Sequence, residues 1–347
     1  MAAMGRIGRI QSKVSYSLNL FLFAIIIAIV FSVASPASFF SLLNVESIAY
    51  AVPEIALMAL AISVAMTTAG IDLSVVAVAN LSALATIWLS NTLSEAGMNG
   101  LLATFVSLAV CAIIGLMAGL LNGYLVCAIR IRPILATLAT QQIFVGIAIA
   151  LSKGEALYGG TDLLNILGVG TFAFVPLVFW VFVCIVVVLH LCMNKTKFGL
   201  HTVMLGENAR ATDYSGISEN RVTLQTYMLC GILASAAGVL MAARTGSASA
   251  GFGGSYLMLA ITIAVLGGAN PFGGQRAIFG GAIAAIILQM ISSGLNSLGF
   301  SSYFYQIVQG VILISVFVVQ WEVRSTKNNK RAMRLKRDSD KKVESVG

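Results

Sequence analysis

Hydrophobic residues fall into long runs that are separated by short polar intervals. A run of about 20 apolar residues is long enough to cross a bilayer as an α-helix. A window of about 19 residues places ten such runs near residues 18–35, 48–69, 73–90, 100–128, 134–152, 172–193, 222–244, 255–270, 277–298 and 303–320. The pattern predicts an all-α integral membrane protein with about ten transmembrane helices, of which the eighth is short.

The polar intervals leave no room for a separate soluble domain. We therefore expect a cytoplasmic N-terminal segment at 1–17, one transmembrane domain at 18–320 and a basic cytoplasmic tail at 321–347. The chain is 59% hydrophobic and 10% charged, against roughly 25% charged residues in soluble domains. The net charge of +8 reflects basic residues beside the spans and in the tail, so it gives no reason to expect nucleic acid binding.

Basic residues also predict the orientation of the chain, because Lys and Arg beside spans mark the cytoplasmic side. With the N-terminus inside and ten spans, the inner side receives Arg130 with Arg132, Lys195 with Lys197, Arg210 with Arg221, Arg276 and the tail. Arg244, at the end of the seventh run, falls on the outer side. Both termini are therefore expected in the cytoplasm.

No motif in the sequence points to catalysis by this chain. It lacks a Gly-x-x-x-x-Gly-Lys phosphate loop, a His-Glu-x-x-His zinc motif and a Gly-x-Ser-x-Gly nucleophile. The five cysteines include no Cys-x-x-Cys pair and lie within or beside apolar runs, which favours packing over a disulfide or a metal site. We expect no catalytic residue, no metal and no cofactor, so a partner would supply the energy for any transport.

Polar side chains within the apolar runs are costly to bury and need a reason. Amides both donate and accept hydrogen bonds, which suits sugar hydroxyls, whereas the ordinary role of such an amide is to bond a neighbouring helix. We select as candidates for lining a solute pathway Asn80, Asn122, Gln141 and Gln289.

The link between the second and third runs carries a polar motif. Gly70 can stop a helix, and Asp72 with Ser74 can cap the next one. Glu54 follows Pro53 early in the second run, near the outer face, where we expect a solvated carboxylate. Small residues at four-residue spacing in the fourth run, Gly115, Gly119 and Gly123, predict close helix packing.

The longest polar interval lies at 195–221 and holds seven charged residues in 27 positions. Its piece between Gly206 and Gly216 predicts a short surface helix that stops at Gly216. It is either a solvated linker or a helix that docks into a nucleotide-hydrolysing subunit. We treat 194–221 as a candidate coupling loop.

The chain resembles the permease subunits of bacterial ATP-binding cassette (ABC) importers for monosaccharides, the group with ribose, xylose, arabinose, galactose and autoinducer-2 systems. The resemblance runs from about residue 39 to 319. It rests on the motifs Ala69-Gly70-Ile71-Asp72-Leu73-Ser74, Leu121-Asn122-Gly123-Tyr124-Leu125-Val126, Pro133-Ile134-Leu135-Ala136-Thr137-Leu138, Thr196-x-Phe198-Gly199, Gly206-Glu207-Asn208, Ser215-Gly216-Ile217, Leu266-Gly267-Gly268, Gly273-Gly274 and Gly294-Leu295-Asn296-x-x-Gly299. The sequence departs from the family pattern at Val75-Val76-Ala77 and at Ala269-Asn270.

The resemblance implies an ABC importer permease fold in the bacterial inner membrane, with both ends inside. It also implies partners: ATP-binding subunits, a second permease copy or paralogue, and a periplasmic sugar-binding protein. The coupling residues it implies are Glu207, Asn208, Ala211 and Gly216. The expected function is passage of a sugar or related small polar solute by alternating access. The alternatives are a stand-alone ion-coupled transporter, which would need Glu54 or Asp72, and a membrane scaffold that transports nothing.

Overall fold

The computed structural model of the protein describes residues 2–36 and 38–318. The expected tail at 321–347 lies outside the described residues. The helices are α1 Ala2–Ala34, α2 Leu42–Thr67, α3 Val75–Glu95, α4 Gly100–Cys127, α5 Pro133–Ser152, α6 Asp162–Val169, α7 Leu177–Lys195, α8 Lys197–Glu207, α9 Ala209–Tyr214, α10 Glu219–Thr245, α11 Tyr256–Leu266, α12 Ile278–Ser297 and α13 Ser302–Val318. Four two-residue strands are β1 Leu157–Tyr158, β2 Thr171–Phe172, β3 Val175–Pro176 and β4 Ser247–Ala248.

Each of the ten hydrophobic runs contains a helix. Seven of the described helices are long and apolar enough to cross a membrane, namely α2, α3, α4, α5, α7, α10 and α12. The apolar part of α1 at Leu18–Ala34, together with α11 and α13, is shorter. The helical membrane fold is therefore confirmed, and ten crossings remain a prediction.

Helix α10 lies at the centre of the bundle and packs against α2, α3 and α4. Its contact with α4 is close enough for the backbones to touch, since a Cβ added at Gly119 would lie 2.2 Å from the carbonyl oxygen of Tyr227. A Cβ at Gly231 would likewise lie 2.0 Å from that of Gly115. The prediction that the small residues of the fourth run allow close helix packing is confirmed, in keeping with helix association in lipid.

Helices α2 and α3 are joined by a non-helical link at residues 68–74, in which Gly70, Asp72 and Ser74 are buried. The last turn of α2 is closed by the Gly70 N–H, which donates to the Ala65 carbonyl at 3.2 Å. The left-handed residue of this turn is Ala69, with φ of 61°, whereas the sequence suggested Gly70 as the stop. At Gly70 a Cβ would lie 2.7 Å from the hydroxyl of Tyr227, so close packing against α10 explains that glycine.

Short elements at one end of the bundle fill the longer connections, and sequence reasoning did not anticipate them. Strands β1 and β4 pair antiparallel, and so do β2 and β3. Helix α6 packs against α10, where a Cβ at Gly168 would meet the Ala243 carbonyl oxygen at 1.8 Å. These elements hold the end of α10 and place the segment that follows it.

Candidate functional site

The polar interval forms two consecutive helices, α8 and α9, beside the α2–α3 link. Helix α9 is the short helix expected between Gly206 and Gly216, and Asn208 begins it by accepting a hydrogen bond from the Ala211 N–H at 3.1 Å. The chain leaves α9 through Gly216, whose φ of 75° is a left-handed value that favours glycine. Helix α8, capped by the Thr196 side chain, was not anticipated.

The four candidate coupling residues lie on an exposed surface. Glu207, Asn208, Ala211 and Gly216 are all exposed, and a Cβ added at Gly216 meets no atom within 4 Å. Tyr214, at the end of α9, is 93% exposed. Thr212 points the other way and is buried. The short helix is thus attached to the bundle through one side and presents its other side outward.

Three backbone segments meet directly beneath this surface. A Cβ at Gly206, near the end of α8, would lie 2.0 Å from the Thr67 carbonyl oxygen and 2.6 Å from the Gly274 nitrogen. The Gly274 N–H donates to that same Thr67 oxygen at 3.0 Å. The end of α8, the end of α2 and the 267–277 connection therefore contact one another without intervening side chains. Helix α8 is thus in direct backbone contact with Thr67, the last residue of α2 before the α2–α3 link.

That link carries a buried polar cluster that includes three of the predicted residues. The Ser74 backbone N–H and hydroxyl donate to the Asp72 carboxylate at 3.0 and 2.7 Å. Asn122 on α4 donates to the Ser74 hydroxyl at 2.8 Å and accepts from the Thr140 hydroxyl of α5 at 2.6 Å. Asp72, Ser74 and Asn122 are all buried, so their hydrogen bonds tie the link to α4 and α5.

Asn80 is separate from that cluster and holds a different segment. Its amide donates to the carbonyl oxygens of Ala250 and Phe252, at 3.1 and 2.7 Å, in the connection between α10 and α11. The Asn80 side-chain oxygen is buried and has no hydrogen-bond partner among the described residues. Asn80 thus combines a structural role with an unused acceptor.

The remaining two candidate pathway amides lie on α5 and α12. Gln141 is half-buried, and its side-chain oxygen is buried without a hydrogen-bond partner in the described part of the chain. Gln289 is half-buried on α12. The structure therefore brings Asn122 into contact with the Asp72 motif and leaves Asn80, Gln141 and Gln289 on other elements.

Glu54 is buried rather than solvated, which corrects the sequence-based expectation. Because α2 begins at Leu42, Glu54 lies well inside the helix and is 1% exposed. Arg244, in the last turn of α10, donates to both of its carboxylate oxygens at 3.0 and 2.8 Å. Tyr256, the first residue of α11, donates to the same carboxylate at 3.2 Å. One sequence signal could have indicated this pair, since Arg244 lies on the expected outer side against the positive-inside tendency.

The comparisons with known proteins agree with this architecture. Residues 44–317 match the family described as branched-chain amino acid transport system / permease component. The ribose import permease protein RbsC of Escherichia coli K12 is 33% identical over 299 residues, which cover 85% of this chain and 90% of the relative. RbsC of Bacillus subtilis is 33% identical over 307 residues, covering 87% and 91%.

A third relative is the autoinducer 2 import system permease protein LsrD of Salmonella typhimurium. It is 32% identical over 274 residues, which cover 76% of this chain and 79% of the relative. No solved structure matches the chain. The resemblance found in the motifs is confirmed, and a transport component rather than an enzyme is what the matches describe. The chain belongs to the branched-chain amino acid transport system / permease component family of multi-pass membrane proteins.

Proposed function

We propose that the chain is the membrane-spanning permease subunit of an ABC importer for a sugar or related small polar solute, working by alternating access. The observation that carries this proposal is the similarity to ribose and autoinducer 2 import permeases over most of the chain. Its partners would be ABC ATP-binding subunits, a second permease copy or paralogue, and a periplasmic sugar-binding protein. It would reside in the bacterial inner membrane with both termini in the cytoplasm.

Coupling to ATP hydrolysis would occur at the exposed side of α9 and its flanks. Glu207, Asn208, Ala211 and Gly216 would contact the ATP-binding subunit, because they are exposed and lie in the segment that the family resemblance implies for coupling. The buried Thr212 side and the Gly206 contact would carry a displacement of the loop to Thr67 and the α2–α3 link. The proposed mechanism thus needs no carboxylate that binds a coupling ion.

The stand-alone ion-coupled alternative is less well supported by the geometry. It would need Glu54 or Asp72 to bind and release an ion. Glu54 accepts two hydrogen bonds from Arg244, and Asp72 accepts two from Ser74. Both carboxylates are therefore engaged in contacts within the chain. ATP depletion that leaves uptake intact would favour this alternative.

The solute class has a second candidate, because the matched family is described by branched-chain amino acid transport. The names of the similar proteins favour a sugar, since the two RbsC relatives are ribose import permeases. Uptake of labelled D-ribose and of labelled leucine by cells that express the complete transporter distinguishes the two. Ribose uptake without leucine uptake supports the sugar assignment, and the reverse result overturns it.

Substitution of Gly216 by Val tests the coupling surface. Gly97, in the connection between α3 and α4, is a matched control because it has a φ of 80° and nothing within 4 Å of an added Cβ. Both variants place a side chain at a similar positive φ, but only Gly216 lies beside α9. We expect Gly216→Val to lose association with the ATP-binding subunit and solute-stimulated ATP hydrolysis, while Gly97→Val retains both. Unchanged association in Gly216→Val contradicts the assignment.

A further inference from the structure

The connection between α10 and α11, residues 246–255, extends into the depth of the bundle. Helix α11 has 11 residues, or about 16 Å at 1.5 Å per residue, which is about half of a 30 Å hydrocarbon core. Helix α11 alone is therefore too short for a full crossing, and the connection precedes it directly. Asn80, which holds Ala250 and Phe252, lies 15 residues from the Glu95 end of α3, a rise of about 22 Å.

Both ends of this segment and its middle are fixed by polar contacts. Strand β4 pairs with β1 at its start, and Arg244 and Tyr256 flank it while sharing the Glu54 carboxylate. Asn80 fixes the middle through two carbonyl oxygens. The segment is therefore a positioned structural element of the bundle, although it is not helical.

Non-helical backbone at membrane depth is tolerated only where it is buried in protein or lines a water-filled cavity. Burial within this chain does not apply along the whole segment, because Gly251, Gly254 and Ser255 are exposed. A Cβ added at Gly251 meets nothing within 4 Å, and one at Gly254 meets only the Gly251 carbonyl at 3.9 Å. Open space therefore adjoins non-helical polar backbone beside α3, within the bundle.

We propose that residues 246–255 line the aqueous solute pathway, with Gly251 and Gly254 at its surface. The ligand class is an uncharged, polyhydroxylated solute, because backbone N–H and C=O groups and serine hydroxyls are neutral groups that form hydrogen bonds with hydroxyls. The buried Asn80 oxygen, which has no partner among the described residues, supplies an additional acceptor beside the segment. This inference rests on the proposed transport function.

Cysteine labelling tests the aqueous surface without any knowledge of the solute. Gly251→Cys is compared with Gly146→Cys on α5, which is exposed and also meets nothing within 4 Å. Both are expressed in the complete transporter in cells, and labelling by a membrane-impermeant maleimide is corrected for the five native cysteines. The thiolate is the reactive form, and it forms in water rather than in lipid. We therefore expect Gly251→Cys to react at least tenfold faster than Gly146→Cys, which lies within the apolar helix α5. Equal, slow labelling overturns the proposal, including the case in which a second copy covers the segment.

A bulky substitution then tests whether the solute uses this surface. Gly251→Leu is expected to lower D-ribose uptake at least tenfold without a change in thermal stability, whereas Gly146→Leu retains uptake. Fast labelling at residue 251, together with leucine uptake and no D-ribose uptake by the unsubstituted protein, refutes the sugar assignment alone. Ribose uptake that is unaffected by Gly251→Leu refutes the pathway assignment alone.

Discussion

Replacement of Glu54 by Gln is expected to destabilise the protein strongly. Glu54 is 1% exposed and accepts two hydrogen bonds from the Arg244 guanidinium. The amide keeps the shape of the side chain but removes its negative charge. The Arg244 charge then remains in the bundle without a counter-charge, and the amide cannot accept both guanidinium hydrogen bonds on two oxygens.

The size of the effect follows from the burial of the two partners. Removal of one member of a buried ion pair costs about 3–5 kcal/mol in free energy of unfolding. The side chain of Arg244 is 26% exposed and that of Glu54 is 2% exposed, so water screens part of the charge left behind. We therefore expect a loss near the lower end, about 3 kcal/mol.

Unfolding titrations with SDS in mixed micelles measure this loss, and a double-mutant cycle isolates the pair. The double variant Glu54→Gln with Arg244→Gln removes both charges and is expected to be more stable than Glu54→Gln alone by at least about 1 kcal/mol. Tyr256→Phe, which removes one hydrogen bond of 3.2 Å, is expected to cost about 0.5–1.5 kcal/mol. A Glu54→Gln protein within about 0.5 kcal/mol of the unsubstituted chain would refute this reasoning.

Two other substitutions test the contacts beneath the coupling surface. Gly206→Ala is expected to lower the free energy of unfolding by about 1–3 kcal/mol, because its Cβ would lie 2.0 Å from the Thr67 carbonyl oxygen. The control is Gly310→Ala, whose Cβ meets nothing within 4 Å. Equal stability of the two variants in unfolding titrations contradicts the contact. Asn122→Leu is expected to lower the free energy of unfolding by about 1–3 kcal/mol, because it leaves the buried Ser74 and Thr140 hydroxyls without their amide partner. The control Gln142→Leu, at an exposed position, should leave the stability nearly unchanged. An Asn122→Leu protein of unchanged stability contradicts the cluster.

The helical pattern of the chain was predictable because hydrophobic runs in a membrane protein have few alternatives to helix. The start of α9 was also accessible, since Asn208 and Gly216 are local signals for a helix start and stop. Contacts between distant residues were not. Arg244 is 190 positions from Glu54, and neither apolar periodicity nor capping indicates that the two side chains meet.

The sequence also did not reveal how much of the eighth hydrophobic run is helical. The run at 255–270 was expected to be a short span, but its helix is confined to Tyr256–Leu266. The preceding Gly- and Ser-rich segment resembles an ordinary surface loop by composition. The hydrogen bonds from Asn80 and the contacts of β4 with α3 place it within the bundle.

Helix α10 connects the two regions on which the proposed function depends. Toward one end, Tyr227 lies against Gly70 in the α2–α3 link, and toward the other, Gly238 packs on the Ala79 backbone next to Asn80. Arg244 ends the helix at the flank of the 246–255 segment. Because an α-helix satisfies its backbone hydrogen bonds internally, we expect a shift of the link to move α10 as a unit. Backbone contacts at Gly206 and Gly238, and the Tyr227 side chain against Gly70, join these elements directly, so we propose that motion at the candidate coupling surface reaches residues 246–255 through α10.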